Sequence, residues 1–117
     1  MRYLNLLAAL AFLIAPLVAA PASASEPVIK ITAKNWAFTP STITLKVNEK
    51  VKLEFQATEG IHGITIPDLG VNDVVNIGNT VSSVEVTPTK VGTFQAHCAV
   101  FCGAGHANMV LTIKVVK

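Results

Sequence analysis

Four side chains with soft or borderline metal-donor atoms fall within the stretch "CAVFCGAGHANM" near the end of the sequence: Cys98, Cys102, His106 and Met109. These are the only two cysteines in a chain of 117 residues with three histidines, so their crowding into one stretch demands a chemical reason. Thiolate and thioether together favour copper over magnesium or calcium, and a thioether is an unusual ligand for zinc. Gly103 and Gly105 let the backbone turn sharply, which would bring His106 back toward the thiols. One further donor must come from elsewhere. His62 is the candidate, because it sits in "EGIHGITIP", an apolar strand start where a histidine is an odd choice unless something binds it.

Each of these residues also has a plainer reading. Cys98 and Cys102 could form a disulfide, Met109 could be a core residue opening the last strand, and His62 could be a satisfied buried histidine. His97, next to Cys98 on a strand, should point to the opposite face and into solvent. Trp36 is expected to pack on the core.

The elements that must position the donors read as β throughout. "VIKITAKNWAFTP" alternates at its start, "TITLKV" places Ile43, Leu45 and Val47 on one face, and "VKLEFQA" does the same with Val51, Leu53 and Phe55. "IHGITI", "VSSVEV", "GTFQAH" and "MVLTIKVV" continue the series, with breaks at Asn48-Glu49, Pro67-Asp68, Gly78-Asn79 and Pro88. No window shows an apolar face at helical spacing. Short strands with frequent turns indicate an all-β fold, a two-sheet antiparallel Greek-key sandwich. The donor stretch then lies between the last two strands at one end of the sandwich, where the sheets fix both ends of the loop. Residue 62 lies in another loop that can reach the same end.

Residues 1–24, "MRYLNLLAALAFLIAPLVAAPASA", have the order of a secretory signal: a short basic start, an apolar middle and a small-x-small site at Ala22-Ser23-Ala24. An uncleaved anchor is the competing reading, although its 17 apolar-stretch residues would reach only about 26 Å as a helix against a hydrocarbon core of roughly 30 Å. Either way residues 25–117, the expected single domain, belong outside the cytoplasm, in the periplasm or an equivalent compartment. They carry eight Lys, no Arg and seven acidic residues, which gives no basic field for nucleic acid. There is no Ser/His/Asp set, paired-carboxylate site, phosphate loop or haem-attachment motif, so nothing points to an enzyme acting alone or to a small-molecule substrate.

The residues resemble the CuA domain of cytochrome c oxidase subunit II, a cupredoxin fold. The family motif Cys-x3-Cys-Gly-x2-His-x2-Met is met in register by Cys98, Cys102, Gly103, His106 and Met109. Its upstream element, His-Gly followed by an apolar strand and Pro, is met by "IHGITIPDLGVN", and "WAFTPSTITLKVNEKVKLEF" looks like the first strands. The resemblance covers residues 28–117.

It implies two copper ions bridged by the thiolates of Cys98 and Cys102. His62 and His106 would bind one ion each, Met109 would be a weak ligand, and the backbone carbonyl of Val100 would complete the set. Many family members carry Glu or Gln where this chain has Val100, but a backbone ligand does not depend on the side chain. The implied activity is electron transfer with a redox partner such as a c-type cytochrome or a terminal oxidase. Family members carry one or two membrane helices ahead of the domain, whereas the leader here reads as removable, which favours a free carrier. The alternative is an extracytoplasmic copper chaperone or storage protein holding Cu(I) through the same cluster.

Overall fold

Alternation of apolar and polar residues becomes alternation of buried and exposed residues along most strands. The computed structural model describes residues 11–17 and 25–117, so the expected cleavage site and most of the leader lie outside the described residues. Among the described residues nine strands follow one another: β1 (Val28–Lys34), β2 (Ala37–Thr39), β3 (Thr42–Lys46), β4 (Val51–Ala57), β5 (His62–Ile66), β6 (Val71–Ile77), β7 (Ser82–Val86), β8 (Gly92–His97) and β9 (Val110–Val116). The only helical elements among the described residues are 3-10 turns at Pro67–Leu69 and His106–Asn108. No helix there is long and apolar enough to cross a membrane.

One sheet has the order β2-β1-β4-β7, a second the order β3-β9-β8, and β5 with β6 forms a separate hairpin. Two pairings are parallel, β1 with β4 and β3 with β9, so the sandwich is mixed where alternation alone suggested antiparallel sheets throughout. Parallel neighbours need long crossover connections, and β3 reaches β9 only across most of the chain. Pairing direction is set by those crossovers, which leave no trace in local periodicity.

The core lies between the sheets. Ile31 and Ala33 of β1, Leu53 and Phe55 of β4, Ile43 and Leu45 of β3, and Leu111 and Ile113 of β9 are all buried. Each fully buried aliphatic or aromatic side chain contributes roughly 1.5–3 kcal/mol of burial energy, opposed by the entropy of ordering the chain. Val47, expected on the same face as Ile43 and Leu45, is half-buried against this core. Strand β6 was not among the expected strands. Its Asn-Asp pair breaks the alternation, and its pairing with β5 shifts register between Ile64 and Ile66.

The hairpin matters most for function because it meets β8 at one end of the sandwich. Ile64 bridges Cys98, and the Ala99 amide donates to the Gly63 carbonyl at 2.9 Å. These bonds carry the start of β5, and with it residue 62, to the end of β8.

Candidate metal centre

The loop from Cys98 to Met109 leaves β8 and returns into β9, and its two ends are tied together. The Cys98 amide donates to the Met109 carbonyl at 3.1 Å, directly beyond the last β8–β9 pair, His97 with Val110. Cys98 and Met109 are buried, whereas His97 is exposed on the opposite face, as its neighbouring position on a strand requires. Between the ends, His106 opens the 3-10 turn His106–Asn108, and its ring stands tilted to Phe101 with centroids 5.5 Å apart.

The sulfur atoms converge inside this loop. Cys98 Sγ lies 3.5 Å from Cys102 Sγ, and both cysteines are free thiols, so the disulfide alternative is not what the structure contains. Cys102 Sγ also lies 3.5 Å from His106 Nδ1 and 3.8 Å from Met109 Sδ. The Val100 carbonyl oxygen faces the same space, 3.1 Å from Cys98 Sγ. Met109 is therefore both fully buried in the core and aimed, through its sulfur, at the thiols. Burial pushes the Cys102 thiol up to about 11, and the neighbouring Cys98 adds to the effect. Cys102 is thus held as a neutral thiol at ordinary pH unless a cation takes the proton's place.

His62 joins from the hairpin. Its ring is completely buried, and its Nε2 lies 2.8 Å from the Glu59 carbonyl. A carbonyl only accepts, so this bond assigns the proton to Nε2 and leaves Nδ1 as a bare acceptor. That Nδ1 is buried without a hydrogen-bond partner. Ligand atoms of His62, Cys98 and Cys102 all lie within 4.8 Å of one another. An orphaned buried nitrogen costs about 1–3 kcal/mol, and a bare lone pair on a ring that adjoins two thiols is what a soft or borderline metal ion would satisfy. The donor set therefore fits copper. All six expected site residues, His62, Cys98, Val100, Cys102, His106 and Met109, lie at this one end of the sandwich.

Two features depart from expectation. Trp36 does not pack in the core; it is 40 % exposed and lies against the donor loop, where its Nε1–H donates to the Cys102 carbonyl at 2.9 Å. Gly105 is required less by a turn than by this ring, for a Cβ there would sit 2.5 Å from Trp36 Cγ and Cδ2. Gly103, with φ +121°, does serve the turn, and it too lies under the indole. Gly63 is needed for a similar reason, since a Cβ there would lie 2.6 Å from Val100 Cγ2. Sequence reasoning also missed the carbonyl of Glu59, which orients His62. A main-chain acceptor has no signature in residue type, and only its position three residues before His62 could have suggested it.

Comparison with known proteins agrees with this geometry. Residues 6–112 match the model of the cupredoxin-like domain family. Over 77 residues, 65% of this chain, the sequence is 37% identical to a probable cytochrome c oxidase subunit 2 of Streptomyces coelicolor, of which it spans only 24%. The fold superimposes with a TM-score of 0.70 on the periplasmic domain of subunit II of the cytochrome oxidase of Bradyrhizobium japonicum. That match covers 78% of this chain and 84% of the other at 19% identity. A chain of a heme-copper terminal oxidase dimer superimposes with a TM-score of 0.66 at 26% identity, covering 79% of this chain and 66% of that one. The chain belongs to the cupredoxin-like domain family, and within it resembles subunit II of cytochrome c oxidase.

Proposed function

We propose that this protein is an extracytoplasmic electron carrier whose loop centre holds a pair of copper ions. Cys98 and Cys102 would bridge the pair through Sγ, His62 and His106 would each bind one ion through Nδ1, Met109 would be a weak thioether ligand, and the Val100 carbonyl would complete the set. The observation that carries this reading is the convergence of two unlinked thiols, 3.5 Å apart, with a ring nitrogen of His62 within 4.8 Å of both, in a buried ring whose Nδ1 has no hydrogen-bond partner.

A copper pair with shared thiolates supplies one-electron redox chemistry in which the charge change is spread over two metals. The chain's own part is to hold the donors still. Cys98 and Met109 are anchored by the β8–β9 ladder, and His62 is fixed in one tautomer by Glu59. Rigid donors limit the movement that accompanies gain or loss of an electron. With every donor supplied by protein, no position is left for a substrate, so the role is transfer rather than catalysis.

The names of the relatives support a redox partner of one class. They are named as oxidase subunits, which supports exchange with a c-type cytochrome or a terminal oxidase, either as a free carrier or within such a complex. The basic start, apolar middle and Ala22-Ser23-Ala24 site of residues 1–24 support export.

Copper titration of the reduced protein followed by optical absorption tests the ligand set. Cys98→Ser and Cys102→Ser should each abolish the thiolate-to-copper bands of the pair, whereas His97→Ala should leave them intact. Retention of the wild-type spectrum in either serine variant would overturn the bridging assignment. A chain that holds only Cu(I) and develops no spectrum on oxidation would be a copper store or chaperone instead.

A further inference from the structure

The turn between β1 and β2 consists of Asn35 and Trp36, neither of which is in the proposed ligand set, yet it touches both segments that carry ligands. On one side the Asn35 amide donates to Glu59 Oε1 at 3.1 Å, and the Asn35 side chain lies over Gly60, where a Cβ would sit 2.6 Å from Oδ1. Glu59 is the residue whose carbonyl receives His62 Nε2. On the other side the Trp36 indole donates to the Cys102 carbonyl, and its ring covers Gly103 and Gly105.

The two ligand segments differ in how they are otherwise held. Cys98 is tied to the hairpin through the Ala99–Gly63 bond and to β9 through Met109. The backbone bonds of the rest of the loop close on themselves, from His106 N to Gly103 O at 3.2 Å and from Asn108 N to Gly105 O at 3.1 Å. The indole is therefore the polar tie from the sheet to the part of the loop that presents Cys102 and His106. Three glycines in two separate segments are all in contact with two consecutive residues, which is the packing of a built contact rather than of a loop resting on a surface.

We propose that the Asn35–Trp36 turn is a clamp that sets the spacing of the two ligand segments before any metal binds, with Trp36 a positioning residue for Cys102 and His106 and the Glu59 carboxylate one for His62. The consequence for copper rests on the function proposed above, but the clamp itself is a property of the metal-free chain. A loop ordered in advance does not have to be ordered by the ligand, so the centre binds faster and releases more slowly than a slack loop would.

Amide hydrogen exchange on the reduced, metal-free protein tests this. Trp36→Ala should speed exchange at His106 and Asn108 about tenfold or more while leaving Leu45 and Ile113 in the core unchanged. Trp36→Phe, which keeps a ring over the glycines but loses the N–H, should give a smaller increase. Glu59→Ala should expose the Asn35 amide, and Glu59→Gln, which retains an oxygen acceptor, should restore its protection. Wild-type exchange at His106 and Asn108 in Trp36→Ala would overturn the clamp. Should that variant lose its core protection, Trp36→Phe decides, and unchanged exchange there overturns the proposal equally.

In copper-loaded protein, Trp36→Ala should also hasten transfer of copper to a chelator and alter the optical spectrum. A wild-type chain that takes up no copper would overturn the electron-transfer reading, while the exchange result would still decide the clamp.

Discussion

At the scale of single residues, the centre is defined by what its donors lack. Cys102 is a thiol that burial and Cys98 keep protonated, with its pKa pushed up to about 11 from an ordinary 9.0. His62 is a buried ring with one nitrogen satisfied and the other bare. The raised thiol has a pH consequence for the metal-free protein. Its folded pKa exceeds the unfolded one, so the folded state holds the extra proton. That stability is fully present below pH 9.0 and is lost as pH rises toward about 11. Denaturant unfolding of reduced, metal-free protein should show this decline, and Cys102→Ser should flatten it; an equal decline in that variant would contradict the assignment. By the same sign, metal uptake at Cys102 must release a proton, and apparent affinity should rise with pH. The donor types were legible in the sequence because cysteine, histidine and methionine advertise their chemistry. The Glu59 carbonyl and the bare Nδ1 were not, because a main-chain acceptor, and the tautomer it selects in the ring it faces, leave no signature in residue type.

At the scale of elements, the strands were readable and their arrangement was less so. β3, β4, β8 and β9 follow their apolar alternation, while β6 hid behind Asn72-Asp73 and an irregular register. The parallel partners of β1 and β3 are fixed by crossovers that no local pattern records. Trp36 was misplaced because a large aromatic beside a strand is ordinarily a core residue. The donor loop needed it as a cover, and the loop's glycines are shaped to receive it. Gly105→Ala should therefore destabilise the metal-free protein by about 1–3 kcal/mol, because its Cβ forces either the indole or the loop to move. A Cβ at Gly78 would meet nothing within 4 Å, which makes Gly78→Ala the matched control. Equal denaturation midpoints for the two variants would contradict the close contact between loop and turn.

At the scale of the molecule, the chain is a small β-sandwich with one chemically distinctive end. Both sheets and the hairpin contribute to that end. The first sheet supplies the Trp36 turn, the second supplies the loop between β8 and β9, and β5 supplies His62. The apolar side chains of Phe101 and Ile61 stand exposed in the two ligand-bearing segments, 80% and 73% respectively. The assembly explains why a stretch so conspicuous in sequence is incomplete by itself. Its neighbours in space lie 36 and 62 positions before its first cysteine by sequence, and only the fold brings them together.

A paired centre differs from a single-copper site in the number of copper ions and in how they share an electron. Metal quantification together with the electron paramagnetic resonance spectrum of the copper-loaded, partly oxidised protein measures both. The proposed centre should give two coppers per chain and a hyperfine pattern from one unpaired electron spread over two equivalent copper nuclei. One copper per chain, with hyperfine structure from a single nucleus, would contradict it.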